Sequence, residues 1–185
     1  MTTTAIVVAI IVVVAVAVAV WLFSQRRRST DLRERFGPEY DHAVREYGDS
    51  RRAENALEKR AERFEQLHIR SLPAEQSAGY AEQWRRVQAQ FVDSPAEALA
   101  EADRLVTEVM QARGYPMGDF EQRAADVSVE HPRVVEHYRA AHAIAGRSSS
   151  GEASTEDVRQ GLVHYRALFD ELIETREPAG TEVRG

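Results

Sequence analysis

SPAEALAEADRLVTEVMQARG, residues 94–114, carries a start, a stop and a wide apolar stripe within one stretch. Ser94 suits an N-cap, Pro95 the first helical position and Gly114 the stop beyond the last turn. Between them Ala98, Leu99, Ala102, Leu105, Val106, Val109 and Met110 recur at spacings of one, three and four. A stripe that wide faces two or more neighbours, so this segment reads as the most buried helix of a bundle.

The flanking segments supply the neighbours. Pro73 opens a helix to about Val92, with Tyr80, Trp84, Val87 and Phe91 on one face. After the turn Tyr115-Pro116-Met117-Gly118, Asp119 and Gln122 form a capping arrangement for a short helix to Val127. His131-Pro132 begins a helix with Val134, Val135, Tyr138, Ala141, His142 and Ala145 inward, ending at Gly146. Arg147-Ser148-Ser149-Ser150-Gly151 reads as a flexible polar linker. Ser154-Thr155-Glu156-Asp157 then starts a helix carrying Val158, Leu162, Tyr165, Phe169, Leu172 and Ile173, and Glu177-Pro178 ends it. No stretch alternates as a strand would. Upstream, Gly37-Pro38 opens a short helix ending near Gly48, and a helix from Arg51 to Leu67 has only a thin stripe, Ala53, Leu57, Ala61, Phe64 and Leu67.

Residues 5–23 are a nineteen-residue uncharged run in which eleven side chains are Val or Ile. At about 1.5 Å per helical residue it would reach roughly 28 Å, close to a bilayer's hydrocarbon thickness. The run is longer than a signal-peptide core and no charged side chain precedes it, which argues against cleavage. Arg26, Arg27, Arg28, Arg33 and Arg35 follow it, so the positive-inside rule predicts a single-pass span with the C-terminal domain in the cytoplasm. Trp21, Phe23, Arg26, Arg27 and Arg28 are the expected membrane-interface anchors.

The expected architecture is all-α. Residues 1–4 are an extracytoplasmic N-terminus, 5–23 a transmembrane helix, 24–70 a juxtamembrane helical stalk with coiled-coil character, 71–175 a small helical bundle and 176–185 a disordered tail. The expected location is the inner (plasma) membrane of a bacterial cell. Net charge is −6, but residues 26–70 hold 12 basic and 10 acidic side chains whereas residues 71–185 hold 12 and 20. An acidic distal part excludes the basic footprint that nucleic-acid binding needs. With no cysteine, a disulfide framework and a cysteine nucleophile are excluded too.

His137-Tyr138-Arg139-Ala140 recurs as His164-Tyr165-Arg166-Ala167, with both tyrosines on apolar stripes, which fits two helices packing alike. The pairs Glu39/His42 and Glu65/His68 have a spacing that two ligands on one helical face can share, but they fall outside the expected core. His142, among alanines, reads as a core histidine holding an interhelical hydrogen bond. No phosphate-binding glycine loop, Gly-x-Ser-x-Gly or His-Glu-x-x-His is present. No catalytic, metal or cofactor residue is assigned and no cofactor is expected.

Arg35-Phe36-Gly37-Pro38-Glu39-Tyr40, Gly114-Tyr115-Pro116, Asp119 to Asp126 and Ser154 to Asp157 resemble segments of a family of uncharacterised bacterial proteins. That resemblance implies a membrane span before an acidic helical domain, and no activity. The leading expectation is a membrane-anchored helical interaction or tethering protein. Its partners would be lipid through residues 5–28, another protein and a possible second copy. The alternatives are a tethered bundle acting as a small-ligand or metal binder or as an enzyme, with His137, His142, His164 and the tyrosines as polar groups, and an envelope protein with its domain outside.

Overall fold

The computed structural model describes residues 2–174, and for residues 2–12, 18, 21, 22 and 25 it describes the backbone alone. The expected tail at 176–185 lies outside the described residues. Eight helices make up the rest: α1 (Thr2–Phe36), α2 (Pro38–Tyr47), α3 (Ser50–Glu65), α4 (Ala74–Gln90), α5 (Pro95–Arg113), α6 (Phe120–Glu130), α7 (Val135–Ser149) and α8 (Thr155–Ile173). The all-α expectation holds among the described residues.

The transmembrane helix does not. Among the described residues no helix is long and apolar enough to cross a membrane. Residues 5–23 do not form a separate element, because α1 continues for 35 residues through Arg26, Arg27, Arg28, Arg33 and Arg35. The single-pass inner-membrane location falls with it, and the positive-inside rule then has no span to orient.

The chain divides into two compact units, residues 1–58 and 59–185, with the boundary inside α3. In the first unit Leu32, Phe36, Tyr40, Ala43, Ala53 and Leu57 are buried, so the thin stripe at the start of α3 is covered. Tyr40 organises its polar side: its hydroxyl donates to Glu54 Oε1 at 2.8 Å and lies 3.3 Å from Ser29 Oγ, and the Arg33 guanidinium sits 4.7 Å from its ring centre.

In the second unit α5 is the central helix, with Ala98, Leu99, Ala102, Leu105, Val106, Val109 and Met110 all buried. It packs against α4, α7 and α8, and α7 and α8 form an antiparallel hairpin. Trp84 of α4 stacks on Phe169 of α8 at 4.6 Å between ring centres, which places the α4 aromatic stripe in the core. The caps at α6 and α8 form as their residues predict. Asp119 Oδ1 accepts from Gln122 N at 2.8 Å, and Ser154 and Asp157 exchange backbone-to-side-chain bonds. Ser94 occupies the N-cap of α5 without a capping side-chain bond.

α6 runs on to Glu130 and α3 stops at Glu65, and both ends of α7 differ from the sequence reading. α7 begins at Val135, three residues beyond Pro132, after a turn. It then runs through Gly146 to Ser149, absorbing most of the expected linker, because Ser149 and Ser150 hydroxyls return to the carbonyls of Gly146 and Arg147. Such local bonds satisfy the last carbonyls of a helix and tighten its final turn.

Gly114 ends α5 with φ +98°, and a Cβ there would lie 2.7 Å from the His68 carbonyl oxygen. The 66–70 segment is pinned at that point, since Arg70 N donates to Arg113 O at 2.9 Å and Arg70 Nε to Ala112 O at 3.0 Å. Gly114→Ala meets both a left-handed backbone and a fixed backbone oxygen, and should destabilise the fold by about 2 kcal/mol or more. Gly118→Ala places its Cβ 3.6 Å from Gln122 Cβ, an ordinary contact, and should change stability by less than about 0.5 kcal/mol. Denaturant unfolding of the two variants checks the contrast.

Candidate functional site

The interface anchors expected from sequence are used, where described, inside the first unit. Arg28 bonds Asn55 at 2.9 Å and pairs with Glu58, and the Arg27 guanidinium lies 4.5 Å from the Phe23 ring centre. The backbone oxygen of Arg26 accepts from Thr30 Oγ1 at 2.9 Å, and the side chain of Trp21 lies outside the described residues. Phe23 itself is 58 % exposed, as are Val13 (67 %), Val14 (56 %), Val16 (56 %) and Val20 (63 %). α1 therefore presents an uncharged apolar length with no cover within the chain among the described residues.

The duplicated His-Tyr-Arg-Ala segments meet face to face. Their midpoint is the Ser150-Gly151 turn between α7 and α8, so residues equally far from that turn become neighbours. His137 Nδ1 and His164 Nδ1 lie 2.8 Å apart. One turn of each helix thus contributes a half-buried imidazole, and burial, then the nearby His137, holds the His164 pKa below its ordinary value. The adjoining tyrosines are fully buried with rings 6.5 Å apart, and both hydroxyls have partners. Tyr165 donates to Asp103 Oδ1 on α5, and Tyr138 accepts from Arg123 Nε at 3.1 Å. Burial, reinforced by the Asp103 charge, raises the Tyr165 pKa, so this hydroxyl keeps its proton. Arg139 and Arg166 turn outward to Glu136 and Asp170.

Beside Asp103 an open cleft of about 470 Å³ runs between the start of α5 and the end of α7. Leu99, Ala100 and Ala145 make its apolar wall, and Asp103, His142 and Ser149 supply polar groups. Its volume falls in the range of small-molecule sites. His142 stacks on Phe120 with centres 3.8 Å apart, yet its Nδ1 is buried without a hydrogen-bond partner. That overturns the interhelical bond expected of it. A buried ring nitrogen left unsatisfied is costly enough to call for a partner.

A second polar cluster closes the opposite end of α5. Arg113, 5 % exposed, donates to Glu130 Oε1 at 2.8 Å and lies 3.1 Å from His131 Nε2, while the Tyr115 hydroxyl donates to Glu130 Oε2. Sequence reasoning missed this cluster. Nothing in the spacing joins Arg113 to residues seventeen and eighteen positions away. The two Glu-x-x-His pairs do not converge either: α3 stops at Glu65 and leaves His68 in a non-helical segment, and His42 Nδ1 lies 3.8 Å from Glu46.

Compared with protein-family models, curated proteins and solved structures, the chain matches none.

Burial by itself would raise the Glu130 pKa, but the bonds from His131 and Tyr115 and the Arg113 charge outweigh it and bring the pKa to about 2. A carboxyl with a folded-state pKa below its unfolded value of about 4.5 stabilises the fold above that value and loses the effect as pH falls toward 2. Acid unfolding followed by circular dichroism should show stability falling between pH 4.5 and 2. In Glu130→Gln that slope should be shallower and stability at pH 7 lower.

Proposed function

We propose that the protein is a helical interaction or tethering protein in which the apolar length of α1 is the arm that another protein segment covers. The exposure of Val13, Val14, Val16, Val20 and Phe23 supports this reading more than any other observation. A helix apolar over a long uncharged stretch is one that other elements bury, and contiguous exposed apolar surface of this kind is a docking feature. Ala15 and Ala19 are exposed and four residues apart, so they fall on one helical face and let a second helix approach closely. A second copy offers the same uncharged, self-complementary face. The absence of short catalytic signatures in the sequence is in keeping with a binding role.

Static light scattering of the full chain at micromolar concentration should give a mass of at least two chains. Val13→Asp/Val16→Asp/Val20→Asp should reduce the mass to that of one chain while the helical circular dichroism persists. A monomeric full chain would contradict the reading.

A second reading, a bundle that binds a small ligand, is favoured by one observation: the unpartnered Nδ1 of His142 in the cleft beside the Asp103 carboxylate. That pair suits a compact amine with a short apolar body. Thermal shift against small primary amines tests it. Stabilisation that disappears in His142→Leu would support the cleft, and no stabilisation by any of them would remove it.

A further inference from the structure

We propose that the hydrogen bond between His137 and His164 is a pH-sensitive latch on the α7–α8 hairpin, closed while at least one ring is neutral and released when both are charged. The two Nδ1 atoms lie 2.8 Å apart, head to head between neighbouring helices, with ring centres 5.1 Å apart. A contact of that kind needs one N–H and one lone pair. One ring therefore carries its hydrogen on Nδ1, while the other carries its hydrogen on Nε2 and accepts at Nδ1.

This pairing of tautomers makes the two protonation steps unlike. The donor ring has its free lone pair on Nε2, away from the contact, so it takes up a first proton with the bond intact and now charge-assisted. The acceptor ring has only Nδ1 to offer, the atom already engaged. A second proton there leaves two N–H groups pointed at each other and two positive rings in one contact. Burial and the charge of His137 are what hold the His164 pKa below its ordinary value, which marks His164 as the ring that resists this second proton. His164 is thus the acceptor and His137 the donor.

The charged groups on the surrounding elements are engaged elsewhere. On α7 Glu136 pairs with Arg139, and on α8 Arg166 pairs with Asp170 and donates to Gln88 of α4. On α5 Asp103 accepts from the Tyr165 hydroxyl and Arg104 pairs with Glu101 and Glu108, and Arg123 of α6 donates to Tyr138. His131, before the start of α7, faces Glu130, Glu171 and Arg113. Arg133, four residues before His137, is a cation and offers no offset. Among the described residues no carboxylate bonds to either ring of the pair, so the second charge is not neutralised.

Release frees the α7 side. α8 stays tied to α5 through Tyr165 and to α4 through Phe169 on Trp84. His137 lies in the first turn of α7, at the end of the hairpin far from Ser150-Gly151, so loosening begins there.

The test is a pH titration of the full chain followed by imidazole-nitrogen NMR, beside denaturant unfolding at pH 7 and pH 5. At pH 7 the expected forms are the Nδ1–H tautomer for His137 and the Nε2–H tautomer for His164, and the rings should take up protons in steps more than about one pH unit apart. A folded-state pKa below the unfolded value of 6.5 gives stability that is complete above 6.5 and falls as pH drops below it. The denaturant midpoint should therefore be lower at pH 5 than at pH 7, and that shift should shrink in His164→Gln. The Glu130 contribution falls away only below pH 4.5 and does not enter. An equal shift in a folded His164→Gln would overturn the proposal. Wild-type rings in the same tautomer at pH 7, or taking up their protons together, would overturn it even if the variant failed to fold.

Discussion

The second unit depends on a missing side chain. Gly161 sits in the middle of α8 where that helix meets α5 and α7, and a Cβ there would lie 2.9 Å from Leu99 Cδ1 and 3.0 Å from Ile144 Cγ2. A helix-interior glycine is less favourable than alanine by up to about 1 kcal/mol, so its presence marks a place where close approach matters more than propensity. That approach brings Tyr165 one turn further along α8 onto Asp103, sets Phe169 against Trp84 and holds the α7–α8 hairpin in the register that faces His137 to His164.

Polar groups drawn into this packing are paired by elements far apart in sequence. Asp103 receives the Tyr165 hydroxyl from a residue 62 positions on, and Arg113 meets the last residue of α6, Glu130, and the first residue after it, His131. Pairs of this kind contribute little as sums of attraction, because desolvation offsets the gain. Breaking one partner is costly, and that fixes which helices can neighbour which. His142 and Trp84 are exceptions, the one with an unused Nδ1 at the cleft and the other with an unpartnered Nε1 in the core.

Much of the fold was legible in the sequence because helix signals are local. The spacing in residues 94–114, the capping pairs at Asp119 and Ser154 and the αL glycine at 114 each act within one or two turns. Boundaries slipped where serine hydroxyls extended α7 through a stretch whose composition suggests a linker. The reading of residues 5–23 as a span is overturned in the structure, where no helix among the described residues is long and apolar enough to cross a membrane. The His137–His164 contact was legible in principle. A repeat straddling a turn symmetrically must face itself in an antiparallel hairpin, but that inference requires the turn at Ser150-Gly151 to be placed to within a residue. The Arg113 cluster and the cleft had no such signal, since tertiary packing alone brings their residues together.

Native-state hydrogen exchange of the full chain tests most directly whether α5 and α8 form the joint on which the second unit is built. The account predicts that amides of Leu99–Met110 and Gly161–Phe169 share one slowest rate and are released together only on global unfolding of that unit. Exchange of the α8 amides through a separate, lower-energy opening while α5 stays protected would contradict it.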